Sequence, residues 1–319
     1  MKRVIIDTDP GIDDTAAILL ALASPELSVE AVTTVYGNGH VEDCTRNALT
    51  ILEAAGRGDI PVYQGAGKPL TRPPNIGSHV HGRDALGDAN VPPPHGTPQP
   101  EHAVWALIEL VMSNPGQITL LALAPLTNVA LALSIEPRMA TALKELILMG
   151  GAVLTWGNAS EVASANLYND PEAAAVVYQS GVPIVQVGLD VCRKVQIRAD
   201  QLARIQQGTG PTIDLLTRIT PQIVRFYTSQ GNLPGGGVQY NDVPAIAYAI
   251  DPGLFDIHDY FVRISTHDEL TKGQTVADVG NRWGQVPNAR VLMGVDSDRL
   301  TEIFTSRILG YEQPATAAT

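Results

Sequence analysis

The sequence is short of cysteine and of positive charge, and it has no long apolar run. Cys44 and Cys192 are its only cysteines, far apart and in no CxxC pair. Two such thiols cannot build a disulfide framework or a thiolate zinc cage, which fits a reducing cytoplasm. Lys and Arg together number 21 against 33 Asp and Glu, a net charge of −12. Nucleic acid and anionic membrane surfaces are themselves negative, so neither is an expected partner, and a small-molecule substrate is. No uncharged stretch is long enough to span a bilayer. The opening MKRVIIDTDP turns acidic before a secretory apolar region can form. The expectation is a cytoplasmic protein that makes no use of a membrane.

What is present is an alternation. Short apolar runs at Val4–Ile6, Val29–Tyr36 (rich in β-branched residues), Ile60–Tyr63, Ile118–Leu123, Glu145–Met149 and Pro183–Gly188 read as strands. Helical patterns fall between them, at 15–23, 41–55, 128–134 and 171–179. This order predicts an α/β fold: an open, mostly parallel, twisted sheet with helices on both faces, Rossmann-like, with its site beyond the C-terminal strand ends. The last third is mixed, with helices near 212–230, 242–250 and 298–309 and β-rich segments between them. Two stretches break the pattern. Residues 67–100 hold eight prolines, and 150–169 is irregular; loops of this length are uncommon unless functional or disordered. With no clean linker or repeat, residues 1–319 read as one domain.

Four carboxylates, Asp7, Asp9, Asp13 and Asp14, crowd the point where the first strand hands over to a helix. One or two would serve as helix caps. Four like charges raise one another's pKa and destabilise the chain unless a cation compensates them. Oxygen-only ligands suit a hard ion, Ca²⁺ or Mg²⁺, over zinc.

The run VIIDTDPGIDDTAAILLAL resembles the N-terminal signature of the inosine–uridine-type nucleoside hydrolases, DxDPGxDD after a strand. The resemblance continues through Tyr36-Gly37-Asn38, His81-Gly82, Leu126-Thr127-Asn128, Met149-Gly150-Gly151, Gly157-Asn158-Ala159 and Asn166. It extends through Asp170-Pro171-Glu172-Ala173, Val187-Gly188-Leu189-Asp190, Asp242 and the segment Lys272 to Asp278. It implies hydrolysis of the bond between ribose and nucleobase, with one calcium ion held by Asp9, Asp14, Asp242 and the Leu123 carbonyl. Asp9 would be the base on the activated water, with Asp7 supporting the loop. Asp13, Asn38 and Asn166 would hold ribose hydroxyls, Met149 would line the sugar pocket, and Asn158 would meet the 5′-hydroxyl. A dimer or tetramer is implied as well. The chemistry suits these residue types, because cleavage passes through an oxocarbenium-like state that nearby carboxylates stabilise.

Two departures bear on the substrate. Asn241 stands where the family commonly has His or Trp, and Asn cannot deliver a proton at neutral pH. His81 is then the motif-based candidate for assisting the leaving base. Ser164 stands where the family usually has a Glu that binds the 5′-hydroxyl. A pocket without that carboxylate opens to ribonucleosides modified or phosphorylated at the 5′ carbon, with Arg83, Arg193 and Lys194 as sources of positive charge. Trp156, Tyr227 and Tyr240 read as packing or anchoring residues before stacking ones. Two rival readings remain at this point. Asp7-Thr8-Asp9 after a strand also opens the haloacid-dehalogenase-like phosphohydrolases, although the Pro10–Asp14 continuation suits them poorly. Asn241 also leaves room for a non-catalytic nucleoside-binding protein.

Overall fold

The apolar runs lie side by side in one sheet, as their alternation with helices predicts. A computed structural model of the protein describes residues 1–231, 233 and 235–313. The strands are β1 (Lys2–Thr8), β2 (Leu27–Thr34), β3 (Val62–Gln64), β4 (Ile118–Ala122) and β5 (Glu145–Met149). They continue as β6 (Ile184–Val187), β7 (Phe255–Tyr260), β8 (Val262–Ile264), β9 (Thr275–Ala277) and β10 (Ala289–Val295). Eight of them form a sheet in the order β3-β2-β1-β4-β5-β6-β10-β7, and β8 pairs with β9 apart from it. Every pairing in the large sheet is parallel except β10 with β7.

The central strands β1, β4, β5 and β6 are buried on both faces, which explains why they read as continuous apolar runs. Val4 and Ile6 of β1 point into one hydrophobic cluster, with the helices Ile12–Leu22, Pro211–Ser229, Val243–Ile250 and Ser297–Leu309. Ile5 between them points into the other, with Ala103–Met112, Thr127–Ile135 and Pro171–Gln179. No helix among the described residues is long and apolar enough to cross a membrane.

The helices Ala103–Met112 and Ala199–Gln206 were not expected from the sequence. The irregular stretches also carry short helices, Ser78–His81 in the proline-rich loop and Ala165–Asn169 in the second. Each is too short to show a helical period.

The strand order places the site. After β3 the chain returns to the other side of β1, so the C-terminal ends of β1 and β4 border the crevice where the winding reverses. The Leu123 N–H donates to the Asp7 carbonyl at 2.8 Å, continuing the ladder one residue past β4. Asp9 and Leu123 thereby stand at the same end of the sheet.

Candidate active site

Beyond β1 the chain turns through Pro10 and Gly11 into the helix Ile12–Leu22, putting Asp13 and Asp14 in its first turn. Asp242 arrives from the far end of the chain as the residue before the helix Val243–Ile250, and its carboxylate caps no backbone N–H there. Asp13, Asp14 and Asp242 offer oxygens that lie within 4.8 Å of one another. This trio differs from the expected ligand set, with Asp13 in the place of Asp9. Asp9 Oδ2 accepts the Asn38 N–H at 2.7 Å, while Asp9 Oδ1 stays buried without a partner.

Asp7, Asp9, Asp13, Asp14 and Asp242 are all buried. Among the described residues none has a Lys or Arg nitrogen within ion-pair distance. Burial pushes the carboxyls of Asp7, Asp13 and Asp14 up to about 6. It pushes Asp9 and Asp242 well above the ordinary range, with the charge of Asp14 adding to the first and that of Asp13 to the second. Buried like charges of this density need a cation. Asp9 Oδ1 and Asp13 Oδ1 are both buried without hydrogen-bond partners, so the donor set is oxygen-only and suits a hard divalent ion.

Short polar side chains hold this cluster in shape. Asp7 Oδ1 accepts from Thr33 Oγ1 at 2.6 Å and from Asn128 Nδ2 at 2.9 Å, which makes Asp7 a scaffold for the loop. Asp14 accepts from Thr8 Oγ1, the Gly11 N–H and Asn38 Nδ2, leaving about one of its four lone pairs free. Asn47 Nδ2 donates to the carbonyls of Pro10 and Asp84, tying the acidic turn to the long loop. Thr8, Thr33 and Asn47 were not singled out from the sequence, because lone polar residues in strands and helices carry no local mark of burial. A Cβ at Gly37 would fall inside van der Waals contact with Asp9 Oδ2. Gly37→Ala is therefore expected to displace the Asp9 carboxylate and lower turnover at least tenfold, and to lower the melting temperature as well because Gly37 has φ +156°, checked by kinetics and thermal melts side by side.

Asn166 sits beside the carbonyl expected to bind metal: its Nδ2 donates to Leu123 O at 2.6 Å and to Met149 O at 3.0 Å. His81 is buried, with Nδ1 3.8 Å from Asp13 Oδ1. The Ile12 N–H donates to that same Nδ1 at 3.3 Å, which leaves Nε2 to carry the imidazole proton. Burial holds the His81 pKa down to about 4, so the ring is neutral at pH 7.

Asn158 Oδ1 accepts the Ala165 N–H at 2.8 Å, so the loop it sits on is fastened to the start of the helix Ala165–Asn169. Ser164 is fully buried, and its hydroxyl accepts the Gly151 N–H at 2.7 Å. Ser164, a candidate substrate-binding residue from the sequence, therefore also fastens this loop through its hydroxyl oxygen. Asn241 Nδ2 donates to the Tyr227 hydroxyl at 3.3 Å, joining two residues that the sequence separates by a helix end and a glycine-rich turn. Tyr240 is a core residue bonded to Thr220, and Trp156 is 66% exposed. Asp170 is structural too, accepting from Thr127 Oγ1 and from the Leu70 and Ala173 N–H groups.

The sequence profile of the inosine-uridine preferring nucleoside hydrolases matches residues 4–302. The chain is 36% identical over 317 residues to a probable uridine nucleosidase 2 of Arabidopsis thaliana, covering 97% of this chain and 98% of that one. A solved plant nucleoside hydrolase, PpNRh1, superposes with a TM-score of 0.92 at 34% identity, over 97% of this chain and 99% of its own. A purine-preferring ribonucleoside hydrolase from Gardnerella vaginalis also superposes at 0.92, with 30% identity over the same shares. The phosphohydrolase and binding-protein readings fall with these matches. The chain belongs to the inosine–uridine preferring nucleoside hydrolase family and is an enzyme of that class.

Proposed function

We propose that this protein hydrolyses the N-glycosidic bond of ribonucleosides, releasing ribose and a free nucleobase, with a calcium ion in the acidic crevice. The carrying observation is the set of five buried aspartates at the β1–β4 crevice with no Lys or Arg partner among the described residues. Asp9 Oδ1, Asp242, the remaining lone pair of Asp14 and the Leu123 carbonyl would hold the ion, with Asp13 facing the sugar hydroxyls. The ion supplies charge compensation and acidifies the attacking water.

Asp9 Oδ1 takes the proton as the water oxygen bonds to C1′. The C1′–N bond breaks, and its electron pair leaves with the base. Charge that develops on the ribose ring faces carboxylates, which stabilise it. Asn38 and Asn166 hold the hydroxyl-facing edge, Met149 packs under the sugar, and Asn158 meets the 5′ end. The leaving base has two neutral donors within this reading. One is His81 Nε2; the other is the Tyr227 hydroxyl, which accepts from Asn241 and so keeps its own proton free to donate. Burial pushes the Tyr227 pKa up, so that proton stays on the phenol at neutral pH.

The named relatives include a probable uridine nucleosidase and a purine-preferring ribonucleoside hydrolase, so the proposed substrates are ribonucleosides as a class. A cytoplasmic, dimeric or tetrameric enzyme completes it, on the resemblance and on two buried free cysteines. The test is release of reducing sugar from a panel of purine and pyrimidine ribonucleosides, with EDTA and with calcium restored. Turnover abolished by EDTA and recovered with calcium is the expected result. Undiminished turnover in EDTA would remove the metal from the mechanism.

A further inference from the structure

The three cations near the irregular loops are not equivalent once folded. Arg83 is 90% exposed, beside Asp88. Lys194 Nζ donates to the Met293 carbonyl at 2.7 Å. Arg193 follows the short helix Leu189–Cys192 at the end of β6, and its guanidinium turns back over the loop at 150–164. One nitrogen, Nη2, donates to the Gly157 carbonyl at 2.8 Å, and the guanidinium carbon stands 4.5 Å from the centre of the Trp156 ring.

That clamp leaves most of the group unused. A guanidinium has five N–H donors, and Arg193 Nε is buried with no partner. Among the described residues no carboxylate forms an ion pair with it. The nearest acid in sequence, Asp190, is already engaged by the Val153 and Leu154 N–H groups at 2.9 and 2.7 Å. Burial pushes the Arg193 pKa down, as for a cation without a counter-charge. A loop clamp alone needs neither a full charge nor a fork of free donors at a half-buried position, where an unpaired charge is destabilising. The fork flanks Gly157, next to Asn158, and the nearby Ser164 presents no carboxylate to repel an anion.

We infer that Arg193 is a specificity-determining residue that receives an anionic group on the 5′ carbon, making ribonucleoside 5′-monophosphates substrates alongside nucleosides. This rests on the N-ribosyl hydrolase reading above. Guanidinium forks match phosphate oxygens in geometry and charge, and the Trp156 face holds the fork in place. The bond changes are those already given: the water oxygen joins C1′, the C1′–N bond breaks, and the phosphate ester stays intact. The products are the free base and ribose 5-phosphate.

The experiment compares kcat/KM for uridine, inosine and their 5′-monophosphates in the wild type, Arg193→Gln and Arg193→Lys, with ribose and ribose 5-phosphate as product inhibitors. The wild type is expected to cleave nucleotide at least as well as nucleoside. Arg193→Gln should lower the nucleotide-to-nucleoside ratio by ten- to a hundredfold, mainly through KM, and Arg193→Lys should restore part of it. Ribose 5-phosphate should inhibit the wild type more tightly than ribose, and that advantage should vanish in Arg193→Gln. A ratio that Arg193→Gln leaves unchanged, with nucleosides still cleaved, overturns the 5′-anion subsite alone. No base released from any nucleoside or nucleotide in the presence of calcium overturns the hydrolase reading and the subsite together.

Discussion

Asp9→Asn is expected to lower kcat for base release about a thousandfold while making the ion-free protein harder to melt. The first effect follows from chemistry, since an amide neither takes the proton from the attacking water nor offers an anionic ligand. Loss of a positioned base alone costs about 10²–10⁴ in rate. The second follows from the burial of Asp9 beside Asp14 and Asp13, whose charges raise its pKa together with desolvation. Asparagine removes one of these like charges, and its amide oxygen still accepts the Asn38 N–H that Asp9 Oδ2 now accepts. The two effects point in opposite directions, which separates a functional residue from a structural one. Steady-state kinetics with calcium and thermal melts in EDTA measure them, and a kcat within tenfold of the wild type would remove Asp9 from the role of base.

The melting temperature in EDTA should fall between pH 5 and pH 8, and saturating calcium should abolish or reverse that fall. In the folded, ion-free chain Asp7, Asp13 and Asp14 titrate near 6, and Asp9 and Asp242 are raised well above the ordinary carboxylate range, because burial disfavours their charged forms. The unfolded chain titrates these groups near ~3.9. From about pH 4 upward the folded chain therefore holds more protons than the unfolded one, and stability drops as pH rises through the folded values. One carboxylate moved from about 4 to about 6 corresponds to about 3 kcal/mol. His81 acts oppositely: its folded pKa near 4 lies below the unfolded value, so its contribution rises with pH between the two. One imidazole does not offset five carboxylates. A fall of about 5 °C or more is expected for a chain of this size. Calcium binds the ionised form and draws stability back toward high pH. A melting temperature in EDTA that climbs from pH 5 to pH 8 would mean the cluster is compensated by something other than a cation.

Part of this protein is determined within short stretches of sequence. Apolar runs alternating with helical patterns specify a parallel sheet, because a parallel pair needs a crossover and a crossover of this length is a helix. The run from Asp7 to Asp14 specifies a strand, a turn and a helix start loaded with carboxylates, and those oxygens name a hard cation. The resemblance to the family begins in that same stretch, and the family match extends over residues 4–302.

The tertiary structure decided the rest. Asp242 joins Asp13 and Asp14 only because the helix Val243–Ile250 packs against the helix Ile12–Leu22, bringing residues more than 200 positions apart to one point. Ser164 is buried, with its hydroxyl accepting the Gly151 N–H across a loop of thirteen residues, a partner that no local pattern announces. Asn166 met the carbonyls of Leu123 and Met149, which come from two neighbouring strands. Arg193 separated from Arg83 and Lys194 only on folding, since three basic side chains near loops look alike until burial and partners distinguish them. Sequence patterns report the near neighbours that set backbone conformation, and the side-chain partners of a site depend on long-range closure, which carries no local periodicity.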